Sequence, residues 1–178
     1  MRKAGILVVL VSLFLAFSST SWSADLKIGY ANLQMALNEC QAGIAAKESL
    51  KKEAQEREGE LQTKQEELKK LKDEIDKKGS VWNKETLQEK EKEFRTRSQA
   101  FQQQFMTYGD ELNQKKQESE ARIITELRDV VEEIAKKGKY NYIFEKSVGG
   151  LLYAPEDADI TDDVIELYDK KFKARGGK

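Results

Sequence analysis

The chain has 178 residues, 39% hydrophobic and 35% charged, with 31 basic against 32 acidic side chains and a net charge of −1 at pH 7. No histidine and a single cysteine, Cys40, exclude the common zinc sites within one chain and any intrachain disulfide. There is no glycine-rich phosphate loop or nucleophile elbow, and the carboxylates lie among basic neighbours, so the expectation is a protein that is not an enzyme and uses no cofactor.

Arg2 and Lys3 precede an apolar run over residues 6–17, broken only by Ser12 and followed by small hydroxyl residues. The run is too short to span a bilayer and reads as a secretory signal peptide, residues 1–23, cleaved after Ser23. Without Arg2 and Lys3 the balance is 29 basic against 32 acidic, net −3. Export across the inner membrane into the periplasm is the expected destination. Leu26, Ile28 and Tyr30 then alternate with Lys27 and Gly29, which predicts a short strand. Asn32 suits the cap of a brief helix carrying Leu33, Met35, Ala36 and Leu37, and near Cys40 and Gly43 the chain turns. Cys40 reads as an incidental buried thiol, with an intermolecular link as the alternative.

Residues 45–137 contain no proline and have apolar residues at sevens. Ala54, Leu61, Leu68 and Ile75 form the first line, and Leu87, Phe94, Phe101 and Tyr108 form another, joined by Phe105 and Leu112. A second register on the first arm, Leu50, Arg57, Lys64 and Leu71, is apolar only at its ends. Such spacing keeps a narrow seam of each helix against a partner. Residues 77–83 break both periods: Gly79 suits a helix end, and Ser80 or Asn83 the next cap. Two antiparallel helices folded back at a tip near residues 79–83 follow. Each arm of roughly 33 residues would run about 50 Å. One continuous rod pairing between molecules is the alternative, which the turn chemistry disfavours. Glu precedes Lys or Arg by four at Glu48/Lys52, Glu53/Arg57, Glu60/Lys64, Glu66/Lys70, Glu91/Arg95 and Glu93/Arg97, predicting exposed intrahelical pairs. Charges so interleaved are no nucleic-acid footprint. Between Leu112 and Ile123 only Ala121 is apolar, so the seam is predicted to have a gap there.

Ile123, Leu127, Val130, Val131 and Ile134 continue the second arm, and Gly138 reads as a stop. Tyr142 and Phe144 mark a strand, Val148-Gly149-Gly150 a turn, and Leu151, Leu152 and Tyr153 the returning strand of a β-hairpin. After Pro155, Thr161 is expected to cap a last helix with an apolar face of Val164, Ile165, Leu167, Tyr168 and Phe172. The fold class is mainly α, a long antiparallel coiled-coil hairpin (residues 45–137) inserted in a small strand-containing body (residues 24–44 and 138–178). So small a body buries little surface alone, and oligomerisation is the natural remedy.

The order of these elements resembles the Skp (OmpH-like) family of periplasmic chaperones. The resemblance is carried by the signal, the strand around Ile28-Gly29-Tyr30, the charged hairpin with Gly79-Ser80 at its tip, Tyr142-Ile143-Phe144, and above all Asp159-Ile160-Thr161-Asp162-Asp163-Val164. It implies a homotrimer whose three hairpins surround a cavity in which unfolded outer-membrane proteins are held without ATP, with transient contact to the envelope membrane. A basic cluster that some members are proposed to use for lipopolysaccharide is matched at Arg97 but not at Thr107 and Tyr108. A structural or adaptor coiled-coil protein of the envelope is the alternative. Phe105 and Met106, off the main stripe, are candidate client contacts. Val81 and Trp82 at the tip are either a staple closing the hairpin or further client contacts. Leu26, Ile28, Tyr142, Phe144, Leu151 and Tyr153 are candidate trimer contacts.

Overall fold

A computed structural model describes residues 26–148 and 150–177. The segment read as a signal peptide, and Gly149 of the expected turn, lie outside them. The elements are β1 (Ile28–Ala31), α1 (Leu33–Glu39), α2 (Gln41–Lys78), α3 (Lys84–Gly138), β2 (Tyr142–Glu145), a short 3-10 turn (Glu156–Ala158) and α4 (Thr161–Ala174). At 1.5 Å per residue α2 is about 57 Å long and α3 about 82 Å. They form the antiparallel hairpin, and α3 is the longer because its last turns belong to the body. Among the described residues no helix is long and apolar enough to cross a membrane.

The body core is built from helical rows. Ile123, Leu127 and Val130 of α3, Leu33, Ala36 and Leu37 of α1, and Val164 and Tyr168 of α4 meet at spacings of three and four, and all are buried. Cys40 and Ile160 close the core, and Ile143, Tyr140 and Phe172 pack at its margin.

The joint between α1 and α2 needs two particular residues. Cys40 has extended backbone, and its sulfur accepts the Gly43 N–H at 3.4 Å, so a buried thiol caps the arm helix. Burial pushes that thiol's pKa up. Gly43 lies against the end of α1, where an added Cβ would stand 1.8 Å from the Leu37 carbonyl oxygen.

Three sequence expectations are corrected here. Residues 151–153 form no returning strand; β2 instead pairs in parallel with β1, Ile28 opposite Tyr142 and Tyr30 opposite Phe144. Parallel pairing requires a crossover, and the entire helical hairpin serves as one. Thr161 is the first residue of α4 and does not cap it by its side chain. The Asp159 carboxylate accepts the Thr161 N–H at 2.9 Å, while the Thr161 hydroxyl accepts the Asn32 N–H at 2.9 Å and Asn32 caps Met35. The Asp-Ile-Thr run is thus a chain of caps tying the last helix to the first. The helix stop also moves: the left-handed residue is Lys139, φ 54°, one beyond Gly138. Asn83 supplies the second arm's cap, bonding the Thr86 N–H at 2.8 Å.

Polar contacts hold α4 to α3. Glu133 bonds Lys171, Glu126 accepts the Tyr168 hydroxyl at 2.8 Å, and Arg175 reaches Glu126 at 3.0 Å. Hydrogen bonds from Lys137 and Lys171 push the Glu133 carboxyl down to about 2. A folded-state value below the unfolded one stabilises above the ordinary carboxyl range, and that contribution disappears as pH falls toward about 2. Body stability measured by urea melts should therefore fall between about pH 5 and pH 2, and Glu133→Gln should flatten that slope. The α1–α2 joint makes a second forecast. Gly43→Ala should destabilise the body by about 3 kcal/mol or more, because backbone rather than a mobile side chain occupies the space; a melt within about 1 kcal/mol of wild type would contradict the joint's geometry.

Candidate functional site: the helical arm and the open face of the body

The hairpin seam has one apolar line on α3. Leu87, Phe94, Phe101, Tyr108 and Leu112 are half-buried, opposite half-buried Leu61, Leu68 and Ile75 and buried Leu71. Phe105 and Met106 lie off that line and are 61% and 63% exposed. At the tip the two candidates separate: Val81 is 78% exposed, whereas Trp82 is half-buried, and its backbone N–H donates to the Lys78 carbonyl at 3.2 Å.

Beside the apolar line runs a ladder of cross-arm polar contacts. Lys115 bonds Glu53 at 2.5 Å, Arg57 bonds Glu111 at 2.5 Å, the Tyr108 hydroxyl donates to Glu60 at 2.6 Å, and Lys64 bonds Gln104. The residue numbers in these four pairs add to the same total, as one antiparallel register requires. Hydrogen bonds from Lys115 and then Arg57 hold the Glu53 carboxyl below its usual range, and the Glu60 carboxylate pushes the Tyr108 phenol up. Nearer the tip Arg97 approaches Glu67 at 3.8 Å.

This ladder is what sequence reasoning missed. Glu53/Arg57, Glu91/Arg95 and Glu93/Arg97 form within their helices as expected. Glu60 and Lys64, expected to pair with each other, turn across to Tyr108 and Gln104 instead. The available signal was complementarity around the tip, since Arg57 and Lys64 are the two charged residues in a line otherwise apolar.

The predicted seam gap is present. Near the base the facing residues are small, Ala46 and Ser119, and two clefts of about 470 and 350 Å³ open beside Ala46, Leu50, Ser119 and Ile123.

The body has an open apolar face. Leu26, Ile28, Tyr142 and Phe144 are exposed, with the Tyr142 and Phe144 rings stacked at 6.4 Å, and Tyr153 is 85% exposed. Leu151 is half-buried, while Leu152, not singled out from sequence, is 99% exposed. The β2 edge away from β1 has no partner among the described residues.

A family model described as outer membrane protein (OmpH-like) matches residues 27–168. No curated protein sequence matches the chain. Among solved structures, a protein from Caulobacter crescentus CB15 assigned as an OmpH-like outer membrane chaperone superposes with TM-score 0.77 at 19% identity, over 87% of this chain and 90% of that one. The likeness is one of fold.

The different exposures of the tip pair give a direct forecast. Trp82→Ala should lower the melting temperature of arm helicity by a few degrees, because a half-buried indole is lost from a short turn. Val81→Ser should leave it unchanged. Equal effects of the two would show that Trp82 does not close the hairpin.

Proposed function

The chain belongs to the OmpH-like outer membrane protein family, and from that premise we propose that it is a chaperone. In this reading it is an ATP-independent periplasmic holdase that keeps unfolded outer-membrane proteins from aggregating in a cavity between helical arms. The observation that carries the reading is the form of the arm. A paired helix about 57 Å long is far more than a globular core needs, and its charged surface is interrupted mid-length by Phe105 and Met106, both more than half exposed. Scattered large apolar groups on a long neutral surface suit a non-native chain, which offers apolar segments in no fixed order and needs no matched charge. Phe105, Met106 and Val81 are the proposed client contacts. Trp82 is assigned chiefly to closing the tip.

One arm encloses nothing, so the reading also requires more than one copy. We place the contacts of a homotrimer on the body, through Leu26, Ile28, Tyr142, Phe144, Leu151 and Tyr153. Exposed apolar side chains of Ile28, Tyr142 and Phe144 beside an unpaired strand edge make a surface that soluble monomers rarely leave bare. Residues 24–44 and 138–178 then serve as the assembly body, with residues 45–137 as its arm and residues 1–23 as the signal for export.

The test is to dilute a urea-unfolded outer-membrane β-barrel protein into nucleotide-free buffer containing the mature chain, following light scattering, with sedimentation velocity on the same samples. Scattering should fall several-fold and the chain should sediment as a trimer. Phe105→Ser with Met106→Ser should keep the trimer and lose much of the protection. Phe144→Asp should give monomers that protect poorly. A wild-type trimer without protection would favour the spacer or adaptor reading, and a stable wild-type monomer at micromolar concentration would overturn the cavity.

A further inference from the structure

In the middle of the arm one of the two seam lines turns polar, beside the apolar line of Leu61, Leu68, Phe101 and Tyr108. On α2 the line Leu50, Arg57, Lys64, Leu71 is charged at its two central positions, and the α3 residues that meet them, Glu111 and Gln104, are polar. We propose that this stretch is held by a polar clasp centred on Arg57 and Tyr108, which sets whether the two helices of the arm stay together between the gap at its base and Leu71 above.

The geometry separates the clasp from ordinary surface charge. The Arg57 guanidinium reaches both helices, to Glu53 at 2.5 Å and to Glu111 at 2.5 Å, and lies 4.4 Å from the centre of the Tyr108 ring. Tyr108 completes the circuit: its hydroxyl donates to Glu60 at 2.6 Å and accepts from the Gln104 side chain at 2.5 Å. Lys64 bonds Gln104 in turn, and Lys115 shares Glu53 with Arg57. The Arg57 side chain is only 16% exposed, against 80% for Lys52 in the neighbouring pair with Glu56. Exposed pairs like that one contribute little. A half-buried guanidinium with carboxylates on two helices and an aromatic ring beneath it is a connected network, which holds more than isolated pairs.

Two consequences follow. Pairing in this stretch should be weakened by salt, unlike the seam nearer the tip. Opening the clasp would also bare Phe101 and Tyr108 on the same helix as Phe105 and Met106, enlarging the apolar surface of the arm. The clasp stands whether or not the arm captures clients.

Pulsed electron spin resonance on the full mature chain tests it. Nitroxides at Gln65→Cys and Gln103→Cys, both exposed, report the mid-arm, and a second pair at Lys72→Cys and Thr96→Cys reports the seam nearer the tip. Cys40 is fully buried, so the introduced thiols take the labels. At low salt both pairs should give one narrow distance. At about 1 M salt, where the Debye length is about 3 Å, the mid-arm distribution should broaden and lengthen by several ångströms while the tip pair stays narrow. Arg57→Glu should broaden the mid-arm pair at low salt, and Arg57→Glu with Glu111→Arg should recover most of the narrow distance. A mid-arm distance unmoved by salt and by Arg57→Glu would overturn the clasp, as would a double variant as broad as the single. Equal broadening of both pairs would also overturn it, since the contact would then not be local to the mid-arm.

Discussion

The molecule depends on one short row of side chains, Ile123, Leu127 and Val130, because α3 is a single unbroken helix serving two parts of the protein. Its last turns give the body three of its deeply buried residues, and its first turns are one wall of the arm. A helix transmits direction along its length, so the way this row seats among Leu37, Val164 and Tyr168 aims everything toward the tip. A tilt of a few degrees at Leu127 displaces Trp82, some forty-five residues away, by several ångströms. The thiol cap at Cys40 and the close approach at Gly43 perform the matching service for α2. Arm and body are therefore one mechanical object, and the core of the body is a mounting for the arm as well as a source of stability.

The arm itself is assembled from unlike parts. Near the tip it is an ordinary coiled-coil seam of Leu71, Ile75, Leu87 and Phe94. In the middle the seam is half apolar and half polar, and at the base small residues leave clefts on either side. An arm filled with leucine throughout would be stiffer. This one carries almost balanced charge along both helices and spends a part of that charge inward, at Arg57 and Glu111, instead of on water.

Much of this was legible in the residues. Heptads bounded by Gly79 and Asn83 gave the hairpin and its tip, the Leu112 to Ile123 interval gave the gap, and the alternation at Ile28 and Tyr142 gave the strands. Local pattern could not say which strand pairs with which. Leu151-Leu152-Tyr153 has strand chemistry and a glycine turn before it, so hairpin rules applied, yet β2 takes β1 as its neighbour across the whole crossover. The polar ladder escaped for a related reason. Glu60 and Lys64 satisfy the intrahelical spacing rule, and only a partner helix at a defined register shows that both turn across. Thr161 carried the right residue type for a cap, but its hydroxyl was claimed by Asn32, distant in sequence and adjacent in space.

The parallel pairing of β1 with β2 also has a bearing on the order in which the protein can be made. Ile28 and Tyr142 face each other across the entire arm, and Asn32 finds its partner only when Thr161 has arrived. The contacts of the hairpin, by contrast, nest around the tip and can close progressively from Asn83 outward. Loop-closure entropy therefore favours an arm that zips early and a body that waits for the last forty residues of the chain. A chain emerging from its N-terminus holds its reach before it holds its anchor. The sheet that presents Ile28 beside Tyr142 can form only after the whole arm has been made.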